Sequence, residues 1–177
     1  KVLLSFPSVG ATENLLMAAV LAEGKTLIEN AAREPEIVDL VGFLNSMGAK
    51  VTGEGTSTIQ VEGVEHLEPV EHTVIPDRIE AATYISALGM TGGEILIEEA
   101  RLDHMEMLVE KLKEMGIEIK QVDSGVSVTV SNRLKSIDLA TLPYPGVATD
   151  YKPFLVTLLS VADGVGIVTE NIFAGRF

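Results

Sequence analysis

The feature that most constrains this chain is that it repeats itself. "FPSVGATENLLMAAVLAEGKTLIEN" opens one unit and "IPDRIEAATYISALGMTGGEILIEE" opens another. Pro7 and Pro76 lie 69 positions apart, as do Gly24 and Gly93; Gly48 in "LNSMGAKV" and Gly116 in "LKEMGIEI" lie 68 apart. A third start, "YPGVATDYKPFLVTLLSVADGVGIVTEN", puts Gly164 71 positions beyond Gly93 and stops after its second strand. Self-similarity at a fixed period means one module used several times, so the fold follows from reading the module once.

Each unit opens with a short strand, at about 2–6, 73–75 and 137–140, and a proline turn. An apolar helix follows at 11–22, 78–90 and 150–162, then the strands "KTLIEN", "EILIEE" and "GIVTEN". An amphipathic helix spans 35–46 and 104–115. Its apolar positions Ile37, Leu40, Leu44, Met47 and Met105, Leu108, Leu112, Met115 step by three or four, the helical spacing. Gly48 and Gly116 are its C-terminal stops. Strand pairs close the units at 49–52 with 57–62 and 117–121 with 126–130, around the hairpin loops "GEGTS" and "VDSG". The unit is strand-helix-strand-helix-strand-strand, an α/β pattern. "NLLMAAVLA" and "ATYISALGM" are apolar around most of the helix, which predicts burial. The second helix carries charge on one side and belongs at the surface. Helices inside and sheets outside reverse the usual arrangement. Asp77 with Glu80 and Asp103 with Glu106 have capping-box spacing, and Pro35 suits a first helical turn.

Composition then excludes several chemistries. There is no cysteine, so disulfides, thiolate catalysis and Cys-ligated zinc are out. With 13 basic against 26 acidic residues the net charge is -13, which argues against a nucleic-acid partner. No apolar run is long enough for a membrane span, and no secretory pattern opens the chain. A cytoplasmic setting is the expectation. His66, His72 and His104 show no metal-ligand spacing and are read as surface residues. The first residue is Lys and the chain stops at "FAGRF", which predicts a piece of a longer protein.

"SVGATENLLMAAVLAEGKTLIENAAREPEIVDLVGFLNSMGAKVTGEGT" resembles the UDP-N-acetylglucosamine enolpyruvyl transferases. "VIPDRIEAATY", "PYPGVATD" and "TENIFAGRF" resemble the same family in the same order, so the resemblance spans essentially the whole chain. "ENAAREPEIVDL" is the most specific of these strings. The resemblance implies two domains built as inside-out α/β barrels, three such units in each. Residues 1–70 would be the last unit of the first domain, and 71–177 the first and part of the second unit of the next. It implies a reaction that moves the enolpyruvyl group of phosphoenolpyruvate onto the 3′-hydroxyl of UDP-N-acetylglucosamine with release of phosphate, opening bacterial peptidoglycan synthesis. No metal or organic cofactor is implied.

The resemblance also implies site residues. Asp150 matches the family's aspartate near the sugar hydroxyl, as a proton acceptor or an orienting group. A plain helix cap for a helix starting at Tyr151 is the structural alternative, compatible with the first. Pro7, Ser8, Val9 and Gly10 match the stretch that contacts the UDP-sugar, with N–H groups at a helix start and a glycine that admits a ligand; a simple cap is again the alternative. Ile172 and Phe173 match a hydrophobic pair near the sugar, and Arg176 an arginine that could serve phosphate. Asp77, Arg78 and Thr149 are supporting positions, the first two tied to closure between domains. Phe6 and Ala174 depart from the family, where Lys and Glu occur. The family's proton-donor loop would lie before residue 1, so the isolated chain is expected to be inert. Two other readings stay open: the shikimate-pathway enolpyruvyl transferase, and a non-catalytic acidic repeat domain that self-associates through an unpaired sheet edge.

Overall fold

The structure, a computed structural model, describes residues 1–173 and 175. The chain divides into two compact units, Lys1–Ile75 and Pro76–Phe177.

In the first unit, β1 (Val2–Leu3) leads to α1 (Val9–Ala19), β2 (Lys25–Glu29), α2 (Pro35–Ser46), β3 (Lys50–Thr52) and β4 (Thr58–Glu62). The strands form one sheet in the order β1-β2-β4-β3, with β1 parallel to β2 and the other pairs antiparallel. Ile59 and Val61 of β4 point inward and Thr58 and Gln60 outward, the alternation of a half-buried strand. With Leu16, Ile28, Ile37, Val41 and Leu44 they form an aliphatic core. Pro35 occupies the first turn of α2, as its missing N–H permits.

The second unit repeats this plan. It contains α3 (Arg78–Thr91), β5 (Gly93–Glu98), α4 (Glu106–Glu114), β6 (Glu118–Val122) and β7 (Gly125–Val130). The sheet order β5-β7-β6 is all antiparallel and copies β2-β4-β3. A further partial module supplies β8 (Leu139–Ala140), α5 (Lys152–Val161) and β9 (Val168–Thr169), with β8 parallel to β9 as β1 is to β2. One core of Ile85, Leu112, Met115, Val128, Leu155 and Leu158 serves all of it. Gly89 lets α3 and α5 approach closely, since a Cβ there would stand 2.5 Å from Leu158 Cδ2. Gly48 and Gly116 end their helices at φ +99 and +103, where a side chain would be strained.

Several expectations need correction. Residues 73–75 form no strand, and β5 pairs only with β7 among the described residues. That stretch is mostly exposed, and the proline at 76 removes a backbone donor directly after it. Asp103 does not cap α4: its carboxylate is held by Arg101 at 2.6 Å, and a short 3-10 turn, Leu102–His104, precedes the helix. His104 is buried, not at the surface. The first helices are not buried all round. Met17 of α1 stays 50% exposed and Tyr84 of α3 54%, and Leu21 just after α1 is 56% exposed.

Candidate functional site

The residues singled out in the sequence fall into two clusters, one in each unit. In the first unit the chain leaves β1, turns at Pro7 and enters α1 with Ser8 as N-cap, whose hydroxyl oxygen accepts the Ala11 N–H at 3.3 Å. The buried hydroxyl of Thr12 donates to the Ser8 carbonyl at 2.8 Å and accepts the Ala32 N–H at 3.0 Å. Asn30, at φ 56, donates its side-chain amide to the Leu4 carbonyl at 2.9 Å. The string "ENAAREPEIVDL" therefore frames the Ser8 turn from behind through Asn30 and Ala32. Gly10 is exposed, and a Cβ there would meet nothing within 4 Å. The amide end of α1 beside it is thus open, which favours an anion at a helix start. Ser8→Ala is expected to destabilise the first unit by about 1 kcal/mol, read from urea unfolding.

In the second unit the segment "LPYPGV" closes on itself, with the Leu142 N–H on the Val147 carbonyl and the Gly146 N–H on that of Pro143. The Tyr144–Pro145 peptide is cis. Gly146 has no room for a side chain, since a Cβ would stand 2.5 Å from Leu142 Cβ. The chain leaves this loop in a 3-10 turn, Thr149–Tyr151, that runs into α5. Thr149 and Tyr151 are buried, and Asp150 between them is exposed. Asp150 is not the cap of α5, whose N-cap is Tyr151. The buried residues on either side thus fix the backbone of the turn that presents the Asp150 carboxylate.

Both flanks of Asp150 are anchored. Tyr151 accepts a hydrogen bond from Arg78 Nη1 at 2.8 Å, and the guanidinium lies 5.5 Å from the Tyr151 ring centre and 5.7 Å from that of Tyr144. Arg78 opens α3 directly after Asp77, which caps the helix by accepting the Ile79 and Glu80 N–H groups at 2.7 and 3.3 Å. On the other flank lies Glu170, just after β9. Its carboxylate accepts from the hydroxyls of Thr149 and Thr141, from the Ile172 and Phe173 N–H groups, and from Lys152 Nζ at 3.1 Å. The Glu170 and Lys152 side chains are 3% and 5% exposed. Burial is the largest single influence on the Glu170 carboxyl and disfavours its charge. The Phe173 N–H, the Thr141 hydroxyl, the Ile172 N–H and Lys152 together outweigh it and hold the carboxyl well below the usual range. A depressed native value means the charged group stabilises the fold above the ordinary value of 4.5, and this contribution is lost as pH falls below it. Glu170→Gln is therefore expected to flatten the acid limb of the second unit's stability curve below that pH, measured by thermal unfolding across a pH series.

Ile172 and Phe173 are thus tied to the Asp150 turn through Glu170, Ile172 half-buried and Phe173 exposed. Arg176 and Ala174 lie outside the described residues. No group of three or more His, Cys, Asp or Glu able to hold a metal ion exists among the described residues. No described helix is long and apolar enough to cross a membrane.

Comparison with known proteins gives these clusters a family. The family model described as EPSP synthase (3-phosphoshikimate 1-carboxyvinyltransferase) matches residues 1–177. The chain belongs to this enolpyruvyl transferase family. Within it, the chain is 54% identical over 177 residues to UDP-N-acetylglucosamine 1-carboxyvinyltransferase 1 of Symbiobacterium thermophilum, covering all of the chain and 40% of that protein. It is 51% identical over the same length to the protein of that name from Caldanaerobacter subterraneus subsp. tengcongensis, covering 43% of it. The chain therefore spans about two fifths of the relatives it matches. The enolpyruvyl transferase NikO from Streptomyces tendae aligns over 98% of the chain and 42% of its own, with a TM-score of 0.83 at 24% identity, which shows a shared fold.

Sequence reasoning about this enolpyruvyl transferase chain missed Glu170, Lys152, Tyr151 and Thr141. A hint was present: an acidic residue recurs at the end of, or just after, the strand that follows each first helix, as Glu29, Glu98 and Glu170. The hint does not separate them, since Glu29 meets Lys1 near the surface and Glu98 is exposed.

Proposed function

We propose that this chain carries the sugar-nucleotide-binding part of an enzyme that transfers enolpyruvyl from phosphoenolpyruvate to the 3′-hydroxyl of UDP-N-acetylglucosamine, the step that opens peptidoglycan synthesis. The observation that carries the reading is the identity of 51–54% along the whole chain to proteins named for that sugar nucleotide. In this reading Asp150 accepts the 3′-hydroxyl proton as the sugar oxygen adds to the substituted carbon of phosphoenolpyruvate and a proton arrives at the methylene carbon. Loss of a proton from that carbon then expels phosphate and restores the double bond. Pro7, Ser8, Val9 and Gly10 bind the sugar nucleotide beside the amide end of α1. Ile172 and Phe173 give an apolar contact, Arg176 serves phosphate, and Asp77, Arg78 and Thr149 support the arrangement.

The test uses a hybrid in which residues 1–177 replace the matching segment of the Symbiobacterium thermophilum relative. Phosphate release is followed with phosphoenolpyruvate and either UDP-N-acetylglucosamine or shikimate 3-phosphate. Turnover with the sugar nucleotide alone is the expected result, and turnover with shikimate 3-phosphate alone overturns the proposal. The isolated chain should release no phosphate with either acceptor, because the reaction needs all reacting groups held together.

A further inference from the structure

We infer that Glu170 is a positioning residue for the candidate base Asp150, joining the turn that presents Asp150 to the loop that presents Ile172 and Phe173. The inference rests on the proposed function, and the distances carry it. Oε2 of Glu170 accepts from the Thr149 hydroxyl at 2.9 Å and from Lys152 Nζ at 3.1 Å, so it grips the chain on both sides of Asp150. Oε1 accepts the Ile172 N–H at 2.7 Å and the Phe173 N–H at 3.0 Å. It also accepts the Thr141 hydroxyl at 2.7 Å, which ties the carboxylate to the end of β8; that same hydroxyl accepts the Asn171 N–H at 2.9 Å. One side chain thus divides its two oxygens between the two segments that this reading puts against the sugar.

Besides its contribution to stability, the carboxylate sets the positions of the segments it joins. What the carboxylate supplies is geometry: five donors on three segments converge on one group with a fixed separation between its oxygens. Glu170 follows β9, whose pairing with β8 gives the carboxylate a rigid base. A displacement of the Asp150 carboxylate by as little as ~1 Å is enough to lose on the order of a hundredfold in rate.

In the hybrid enzyme, Glu170→Gln keeps the size of the side chain but turns an N–H₂ toward its donors. The expected result is a fall in kcat of about 10- to 100-fold and a higher KM for UDP-N-acetylglucosamine, with KM for phosphoenolpyruvate unchanged. Thr149→Val removes the hydroxyl that reaches Glu170 from the Asp150 turn and should reproduce the kcat loss, at roughly tenfold, with the KM for phosphoenolpyruvate again unchanged. A folded Glu170→Gln hybrid with the parent's kcat and sugar KM overturns the inference. So does a loss that tracks only the unfolded fraction and leaves both KM values alone. A second readout needs no turnover. In the 177-residue chain, Glu170→Gln should speed amide hydrogen exchange at Tyr151, Ile172 and Phe173 by at least about tenfold and leave β7 unchanged. Unchanged exchange at those three positions overturns the inference whatever the hybrid does. An inert parent hybrid counts against the functional reading alone.

Discussion

Asp150→Asn in the hybrid enzyme is expected to lower kcat by about a thousandfold, with the folded state and KM for phosphoenolpyruvate intact. The size follows from the role. An amide of the same shape cannot accept the 3′-hydroxyl proton, and a positioned proton acceptor contributes on the order of 10² to 10⁴ in rate. Asp150 is exposed while Thr149 and Tyr151 on either side are buried, and Asn has the same shape, so the exchange removes a charge at the surface. It does not remove a helix cap, since Tyr151 holds that position. Steady-state kinetics with circular dichroism as a folding check decides the matter. A loss of less than about tenfold would assign Asp150 an orienting role only.

Leu155→Ala is expected to destabilise the second unit by about 2–5 kcal/mol, the largest stability effect predicted for this chain. Leu155 is completely buried on α5, one turn beyond the end of the Asp150 turn, in the core that α5 shares with α3. Removing its branched end leaves a cavity that the surrounding helices close only in part. Tyr84→Ala on the exposed face of α3 is the control and should change stability by no more than about 0.5 kcal/mol. Denaturant unfolding of the 177-residue chain measures both. Similar values for the two variants would show that α3 and α5 do not pack as described.

The repeat was legible in the residues because each module buries the same face with the same punctuation. Gly48 and Gly116 stop equivalent helices, and the hairpins β3–β4 and β6–β7 have the same pairing. The amphipathic helices were readable from their spacing: Met105, Leu108, Leu112 and Met115 are all buried. Asp77 was readable as a cap because capping is local. What failed was whatever depends on a competing partner. Asp103 has the right spacing for a cap, but Arg101 two residues away takes its carboxylate as a two-pronged partner. The stretch 73–75 has the composition of its counterparts in the other modules but makes no strand pairing. In the candidate site, Asp150 and the Ser8 turn were singled out through resemblance alone. Glu170 was not, because its donors Thr141 and Thr149 lie 29 and 21 residues away and meet it only when β8 and β9 pair.

A crystal structure of the hybrid enzyme with UDP-N-acetylglucosamine bound tests most directly whether the Asp150 turn addresses the sugar hydroxyl. The expected result is an Asp150 carboxylate oxygen about 2.6–3.2 Å from the sugar 3′-oxygen, with Phe173 against the ligand. A sugar bound with its 3′-hydroxyl turned to another residue, and Asp150 in solvent, would contradict it.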